Sequence, residues 1–597
     1  MNPFRPSSAA VGYPPLEDLG LIGDGATAAL VARDGSIPWL CVPRFDSPPL
    51  LCGLLDAERG GRFVVAPEGL VESRQRYEAD TAVLVTELRS EQGRIALTDL
   101  LTLEAGADLS RERAAGRGEL LRIARAIEGP VRVRIQLEPR GGASLERDGK
   151  LRCHERPELE LSLDCSHELE ALPTTVELAQ GEILTLVLRW RPGSGNPAAL
   201  LEQTLAAWRD WLKAFSYTGP QEELVRRSAI TLKLLDHFES GAILAAPTSS
   251  LPEEIGGERN WDYRYTWIRD AAFSVYALRR IGLGAEAEGF LRWVLKAVAA
   301  DGRPRVLYSI DPGATVTEWI DPGLEGYRCS APVRFGNAAA EQRQHDVFGE
   351  IVDCAYQWSA GGGVIGRRLW ERLRGLVEAA AVEWDEPDHG IWEVRTTQRP
   401  FTYSAALCHV ALDRGARLSE RLGLPGETGF WRRQAAAIRQ GILERAWDPE
   451  LRSLTEHLGG GALDASLLAL PLRRVLPATH PRMVATTAAI TERLGAGRGL
   501  LYRYLPDESP DGLPGHEGAF LLCSFWLVEN LAEQNRLDEA GELFDSLCAR
   551  AGPLGLLPEQ IDPRDGSFLG NYPQAFSHIG VISGAYKLAR AQERART

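Results

Sequence analysis

Residues 260–270 read Asn-Trp-Asp-Tyr-Arg-Tyr-Thr-Trp-Ile-Arg-Asp. Four aromatic rings, Trp261, Tyr263, Tyr265 and Trp267, fall at every second position, with Asp262, Arg264, Arg269 and Asp270 among them. Aromatic faces suit the C–H faces of a sugar ring, and planar charged forks suit its hydroxyls. Charges at this density are costly to bury unless paired, so a plain core segment has no need of the mixture. The stretch therefore points to carbohydrate.

Two glutamates sit where they could act on such a ligand. One lies in Asp388-His389-Gly390-Ile391-Trp392-Glu393-Val394, the other in Gly555-Leu556-Leu557-Pro558-Glu559-Gln560. Apolar neighbours raise a carboxyl pKa and make it a competent acid. Glycoside hydrolysis needs one protonated and one ionised carboxyl on opposite sides of the scissile bond. Glu393 and Glu559 are far apart in the chain, so only the fold can bring them together. Taken alone, each is equally well a solvated loop carboxylate, or, for Glu559, a helix cap or the ion-pair partner of Arg564.

The elements that must position these groups fall into two kinds. From about residue 20 to 190, short apolar runs such as GRFVVAP, VRVRIQLEP and ILTLVLRW alternate with Gly, Asp and Pro turns. Many short strands without helices between them predict an antiparallel β-sandwich. The spacing turns helical at Ala198–Phe215 and breaks at Tyr217-Thr218-Gly219-Pro220, which sets expected domains of 1–216 and 217–597.

Beyond Gln221, helical spacing marks 221–239, 268–282, 285–300, 345–359, 366–382, 402–421, 427–445, 463–470, 479–494, 516–533, 536–550 and 574–593. These twelve candidates make six hairpins, which predicts a toroid of inner and outer helices, an (α/α)6 barrel. The long loops 239–267, 301–344, 383–401, 446–462, 495–515 and 551–573 would gather at one end of it. Long loops in a compact domain usually carry function.

Composition narrows the partners. The 597 residues carry a formal net charge of −15, which argues against nucleic acid and anionic membrane surfaces. No segment approaches the roughly 18 apolar residues of a membrane span, and the first twenty residues hold no apolar run of signal-peptide length. Nine scattered cysteines with no C-x-x-C pair read as reduced thiols, so a cytoplasmic location is expected. His345-Asp346 and His516-Glu517 lack metal-site spacing, and no metal is expected. Gly495–Gly499 follows no strand, which excludes a dinucleotide loop.

Taken together and in order, Asn260-Trp261-Asp262-Tyr263-Arg264-Tyr265, Arg269-Asp270, Ile391-Trp392-Glu393 and Pro558-Glu559-Gln560 resemble glycoside hydrolase family 15, which holds glucoamylases, glucodextranases and bacterial trehalases. Gly20–Gly25, Arg33-Asp34-Gly35-Ser36 and Pro43–Ser47 resemble the β-sandwich that precedes the barrel in the trehalase-like branch. The resemblance implies an inverting, exo-acting α-glucoside hydrolase that needs no cofactor. It matches Glu393 to the general acid and Glu559 to the general base, with Tyr263 and Gln560 holding the attacking water or the base. Arg269 and Asp270 match the pair gripping the terminal glucose, Trp267 and Trp392 its aromatic walls, and Arg503 an arginine contacting the sugar. Glu517, expected at a helix start after a long loop, is a further candidate to reach the substrate.

In one respect the chain departs from fungal glucoamylases. They carry a second glutamate directly after the acid, where this chain has Val394 and then Arg395. A disaccharide or short oligosaccharide is therefore expected, with α,α-trehalose ranked ahead of isomaltose- and maltose-type substrates. A phosphorolytic or transferring relative and a non-catalytic sugar-binding protein are the alternatives, and a homo-oligomer is compatible with the sequence. Trp261 and Tyr265 are expected in the core. The cluster Arg44-Phe45-Asp46 reads either as an interdomain ion pair or as a loop narrowing the barrel mouth.

Overall fold

The computed structural model describes residues 2–7, 12–146 and 148–596. Between Arg5 and Arg189 the described residues form one nine-stranded and two four-stranded sheets, paired antiparallel throughout. The alternation seen in the sequence is the cause. In Val131–Glu138 the side chains of Val131, Val133, Ile135 and Leu137 point into the core while Arg132, Arg134 and Glu138 face solvent. A fully buried pair, Arg122 and Asp99, ties the sheets: Arg122 Nε is 2.7 Å from Asp99, and its other nitrogens donate to the carbonyls of Phe63 and Gly35 at 2.8 Å.

Helix α1 (Pro197–Leu212) follows. Asn196 caps it, accepting from the amides of Ala198 and Ala199, and Pro197 supplies a preset first turn. Its residues Leu200 and Leu205 pack on Val83, Leu100, Leu121 and Val187 of the nine-stranded sheet.

The helical part comprises α2 (Glu222–Leu234), α3 (Ile268–Arg280), α4 (Glu286–Asp301), α5 (Asp346–Ala360), α6 (Arg367–Glu383), α7 (Thr402–Leu422) and α8 (Thr428–Arg445). A short turn, Ala465–Leu468, runs into α9 (Ala469–Leu472), and α10 (Pro481–Arg493), α11 (Leu521–Glu533), α12 (Leu537–Cys548) and α13 (Ala575–Arg596) complete it. Helix α3 packs on α5, α5 on α7, α7 on the 465–468 turn, that turn on α11, α11 on α13, and α13 on α3. Helices α4, α6, α8, α10 and α12 and α2 lie against members of this circuit.

The expected helix 463–470 is a 3-10 turn at Ala465–Leu468 running into the four-residue α9, and two other expected stretches depart from helix at their ends, for a common reason. Asp236–His237 pairs with Ala242–Ile243, and Ala519–Phe520 pairs with Gln560–Ile561, so strand pairing takes backbone groups that helical spacing had claimed.

The β-rich part grips the segment that carries the aromatic ladder. Trp39 Nε1 donates to the Pro247 carbonyl at 2.8 Å, and Tyr572 Oη to that of Leu19 at 3.0 Å. Arg264 pairs with Asp262 through two contacts of 2.7 and 2.9 Å, both residues buried, and donates to the Ser47 carbonyl at 2.7 Å. Arg264→Leu would strand a buried aspartate, so a loss of about 3–5 kcal/mol is expected, read as a lowered unfolding midpoint.

Candidate functional site

The strand Asn260–Asp262 pairs with Ser249–Pro252, and Thr266–Trp267 pairs with Leu307–Tyr308. The extended backbone sends Trp261, Tyr263 and Trp267 into one cavity, while Asp262 and Arg264 point back to the β-rich part. Tyr265 packs instead near Trp267 and Leu307. The core expectation holds in part for each: Tyr265 is half-buried, and Trp261 is buried but lines the cavity, with Arg334 and Arg395 over its ring at 4.7 and 4.3 Å.

The cavity encloses about 720 Å³ of atom-free space, part of it open to solvent. Both glutamates singled out in the sequence line it, together with Tyr263, Trp267, Arg269, Asp270, Trp392 and Arg503.

Glu393 comes from the loop between α6 and α7. The fully buried Asp388 pins that loop, accepting from the amides of Gly390 at 3.1 Å and His345 at 2.8 Å. Glu393 itself sits at φ +62°, a left-handed conformation that costs an L-residue about 1–2 kcal/mol and is held only by its surroundings. Its Oε1 accepts from Trp267 Nε1 at 2.6 Å and lies 3.6 Å from Arg269, and Gln342 donates to its carbonyl at 3.1 Å. Burial raises its carboxyl pKa, while Arg269 and the Trp267 hydrogen bond pull the other way.

Glu559 directly precedes the strand Gln560–Ile561 and is 2% exposed. Its Oε1 accepts from the Tyr263 hydroxyl at 2.7 Å, and its buried Oε2 has no hydrogen-bond partner. Burial, and next the negative charge of Glu253, push its carboxyl well above the usual range. Arg564 pairs with Asp562 at 2.6 Å rather than with Glu559, and no helix cap is formed, so both alternative readings of Glu559 lapse.

Arg269 and Asp270 lie in the first turn of α3, where the helix dipole favours the aspartate. Arg269 pairs with Asp346 at 2.8 Å and Gln344 at 2.9 Å, which leaves Asp270 to the cavity. Burial lifts the Asp270 carboxyl to about 7 against the pull of Arg269. Trp392 is anchored by its Nε1 bond to Asp464 at 2.9 Å, and the Arg503 guanidinium stands 5.3 Å from its ring centroid.

Two named residues stand elsewhere. Glu517 does not line the cavity; it clamps Arg503, whose Nε lies 3.1 Å from it, from behind. Gln560 is fully buried beside Glu253, because strand alternation turns it away from the side Glu559 faces. Arg44 and Asp46 pair with each other at 2.9 Å within one loop rather than across the two parts, and Ser309 Oγ donates to Asp46 at 2.8 Å; neither residue lines the cavity.

Sequence reasoning passed over Glu253, Arg259 and Asp511, all of which line the cavity. Arg259 forks onto Asp511 at 2.7 and 3.1 Å, and Tyr504 donates to Asp511 at 2.6 Å. The available signal was the run Pro252–Asn260, which packs four more charged residues directly before the aromatic ladder.

Residues 219–586 match the model of glycosyl hydrolases family 15, and residues 10–144 match that of the trehalase-like N-terminal region. The chain belongs to glycosyl hydrolase family 15. It is a glycoside hydrolase. It is 38% identical to a trehalase of Mycolicibacterium smegmatis, over 98% of this chain and 92% of that one. It is 34% identical to a trehalase of Thermoplasma volcanium, over 97% and 94%. Its fold resembles that of a bacterial glucoamylase complexed with acarbose, with a TM-score of 0.68 at 13% identity, covering 99% of this chain and 96% of the other. The N-terminal β-rich part and the helical part thus occur together in that solved fold.

Proposed function

We propose that this chain is an inverting, exo-acting α-glucosidase whose first substrate is α,α-trehalose. The observation that carries the reading is two glutamates with unlike settings in one cavity of a family 15 chain. Glu393, with burial favouring its protonated form, is the general acid that protonates the departing oxygen. Glu559, acceptor of the Tyr263 hydroxyl, is the general base for the attacking water. Trp267 and Trp392 wall the terminal glucose, and Asp270, Arg269 and Arg503 take its hydroxyls. A site built to bond hydroxyls rejects sugars that lack them, because its buried polar groups are then left unpaired.

Near-full-length relatives named trehalase support the substrate. So does Arg395, the first charged residue after Glu393, which lines the cavity stacked on Trp261 and 3.0 Å from Glu318. The closed circuit of helix contacts supports an (α/α)6 toroid for residues 217–597, and the antiparallel sheets with α1 support a β-sandwich domain for 1–216. The free thiols fit a cytoplasmic protein, and among the described residues no helix is long and apolar enough to cross a membrane.

Glucose release from trehalose, isomaltose and maltose tests the assignment. The highest kcat/KM is expected on trehalose; a higher value on maltose or isomaltose would transfer the assignment to that linkage. The position of the base has its own test. Gly570 has φ +74°, and a Cβ there would stand 2.5 Å from Glu559 Oε2. Gly570→Ala is expected to cost about 1–2 kcal/mol of stability and, by moving Glu559, to cut kcat at least about tenfold. Parallel melting and rate measurements separate the two effects.

A further inference from the structure

Gln342 lines the cavity, is half-buried, and has no part in the mechanism above. It stands between the turn Ala338–Glu341 and α5, on a stretch that runs beside the loop carrying Glu393. The contacts of this stretch divide between two neighbours. Gln342 Nε2 donates to the Glu393 carbonyl at 3.1 Å. The Arg343 carbonyl accepts from the His389 amide at 3.0 Å, and the Arg343 amide donates to His389 Nδ1 at 3.1 Å. The His345 amide donates to Asp388 at 2.8 Å. Gln344 and Asp346 instead accept from Arg269, at 2.9 and 2.8 Å. Residues 342, 343 and 345 thus hold the Glu393 loop, while 344 and 346 hold the arginine assigned to the terminal glucose.

Of these ties, the one at Gln342 acts on Glu393 itself. Glu393 has φ +62°, a conformation an L-residue does not favour. Its amide donates to the Gly390 carbonyl at 3.3 Å, and the Val394 amide donates to the His389 carbonyl at 3.1 Å, both within the loop. The Gln342 contact comes from outside the loop and fixes the carbonyl end of the same Glu393–Val394 peptide plane. The direction of the Gln342 amide is set, because only its nitrogen can donate to a carbonyl, and its Oε1 faces Gln344 Nε2 at 3.5 Å. A strained backbone persists only where its surroundings over-determine it. The 2.6 Å contact between the Glu393 carboxyl and Trp267 Nε1 depends on that backbone.

We propose that Gln342 is a positioning residue for the general acid: its side-chain amide pins the Glu393 carbonyl and so holds the left-handed residue with its carboxyl aimed at the departing oxygen. This rests on reading Glu393 as the acid. Gln342 itself exchanges no proton and makes or breaks no covalent bond. Without its donor, the Glu393–Val394 peptide is free to relax and to swing the carboxyl off line, and a misplacement of about 1 Å can cost about 10²-fold in rate. The cost falls on protonation of the leaving group, because Glu559 and its Tyr263 partner stand on other segments.

The test compares the parent with Gln342→Met, which keeps the length of the side chain and removes its donor. The substrates are trehalose and α-glucosyl fluoride, whose leaving group departs without a proton. On trehalose, kcat is expected to fall at least about tenfold with KM little changed, and the loss on the fluoride is expected to be at least about fivefold smaller. A merely structural role would lower the melting temperature without this split. A loss confined to KM would mean that Gln342 binds the second sugar. An equal loss on both substrates would mean a general disturbance of the cavity, and an undiminished rate on trehalose would mean that the loop holds itself. Each of these three results overturns the proposal. Glu393→Gln, run beside it, separates the two readings: if it spares the fluoride and Gln342→Met does not, this proposal alone falls, whereas an equal loss on both substrates in Glu393→Gln removes the acid assignment itself. If Gln342→Met does not fold, Gln342→Ala serves, with the same pattern expected and the same results deciding against it.

Discussion

Glu393→Gln is expected to lower kcat on trehalose by about 10²–10⁴-fold, the range set by losing a general acid. A glucose leaving group departs as an alcohol only when its oxygen gains a proton, and glutamine has none to give. The fold should survive, because the amide still accepts from Trp267 Nε1, and Glu393 contributes no buried ion pair tighter than its 3.6 Å approach to Arg269. The sharper test is α-glucosyl fluoride, whose leaving group needs no protonation. The variant should keep most of the parent rate on it. An equal loss on both substrates would mean that Glu393 holds the sugar and is not the acid. With burial raising the Glu393 carboxyl, the parent should hold activity above the ordinary carboxylate range and lose it as that group ionises.

Glu559→Gln is expected to lose a comparable factor, about 10²–10⁴, on trehalose and on the fluoride alike. The attacking water must shed a proton whichever group leaves, so a better leaving group cannot compensate. Glutamine also leaves the Tyr263 hydroxyl an acceptor, which keeps the 2.7 Å contact available and the fold intact. Rates near the parent on either substrate would remove Glu559 from the mechanism. The two variants together form a pattern that a general loss of binding does not reproduce: one substrate spared by the first, neither by the second.

Most of this arrangement was legible before any coordinates. Helical spacing located the helices α2 to α8 and α10 to α13, because core-facing residues recur with the helical period and Gly or Pro ends the runs, but it covered only half of the four-residue α9. The ladder of rings at alternate positions pointed to a sugar-facing segment within the expected loop 239–267, and the structure, which forms short strands there, sends Trp261, Tyr263 and Trp267 into one cavity. Trp261 is buried as expected but also lines the cavity, because periodicity reports which residues share a face, not what that face meets. Gln560 and Glu517 were misjudged for a related reason. Each is next to a residue that was read correctly or lies in a charged motif, yet a single step along a strand reverses the side chain, and a nearby Arg503 consumes a carboxylate. Glu253 and Arg259 share the charged run Pro252–Asn260, which was passed over, whereas Asp511 reaches Arg259 from a distant loop, so no local pattern marks that pair as partners.

The direct test of the central claim is proton NMR during the first minutes of trehalose hydrolysis, before the free sugars mutarotate. Both anomeric centres of α,α-trehalose are α. Displacement by a water that Glu559 deprotonates inverts the attacked carbon, while the departing glucose keeps its own configuration. Equal initial amounts of α- and β-glucose are therefore predicted. α-Glucose alone, or a glucose phosphate in place of one sugar, would contradict a single displacement between Glu393 and Glu559.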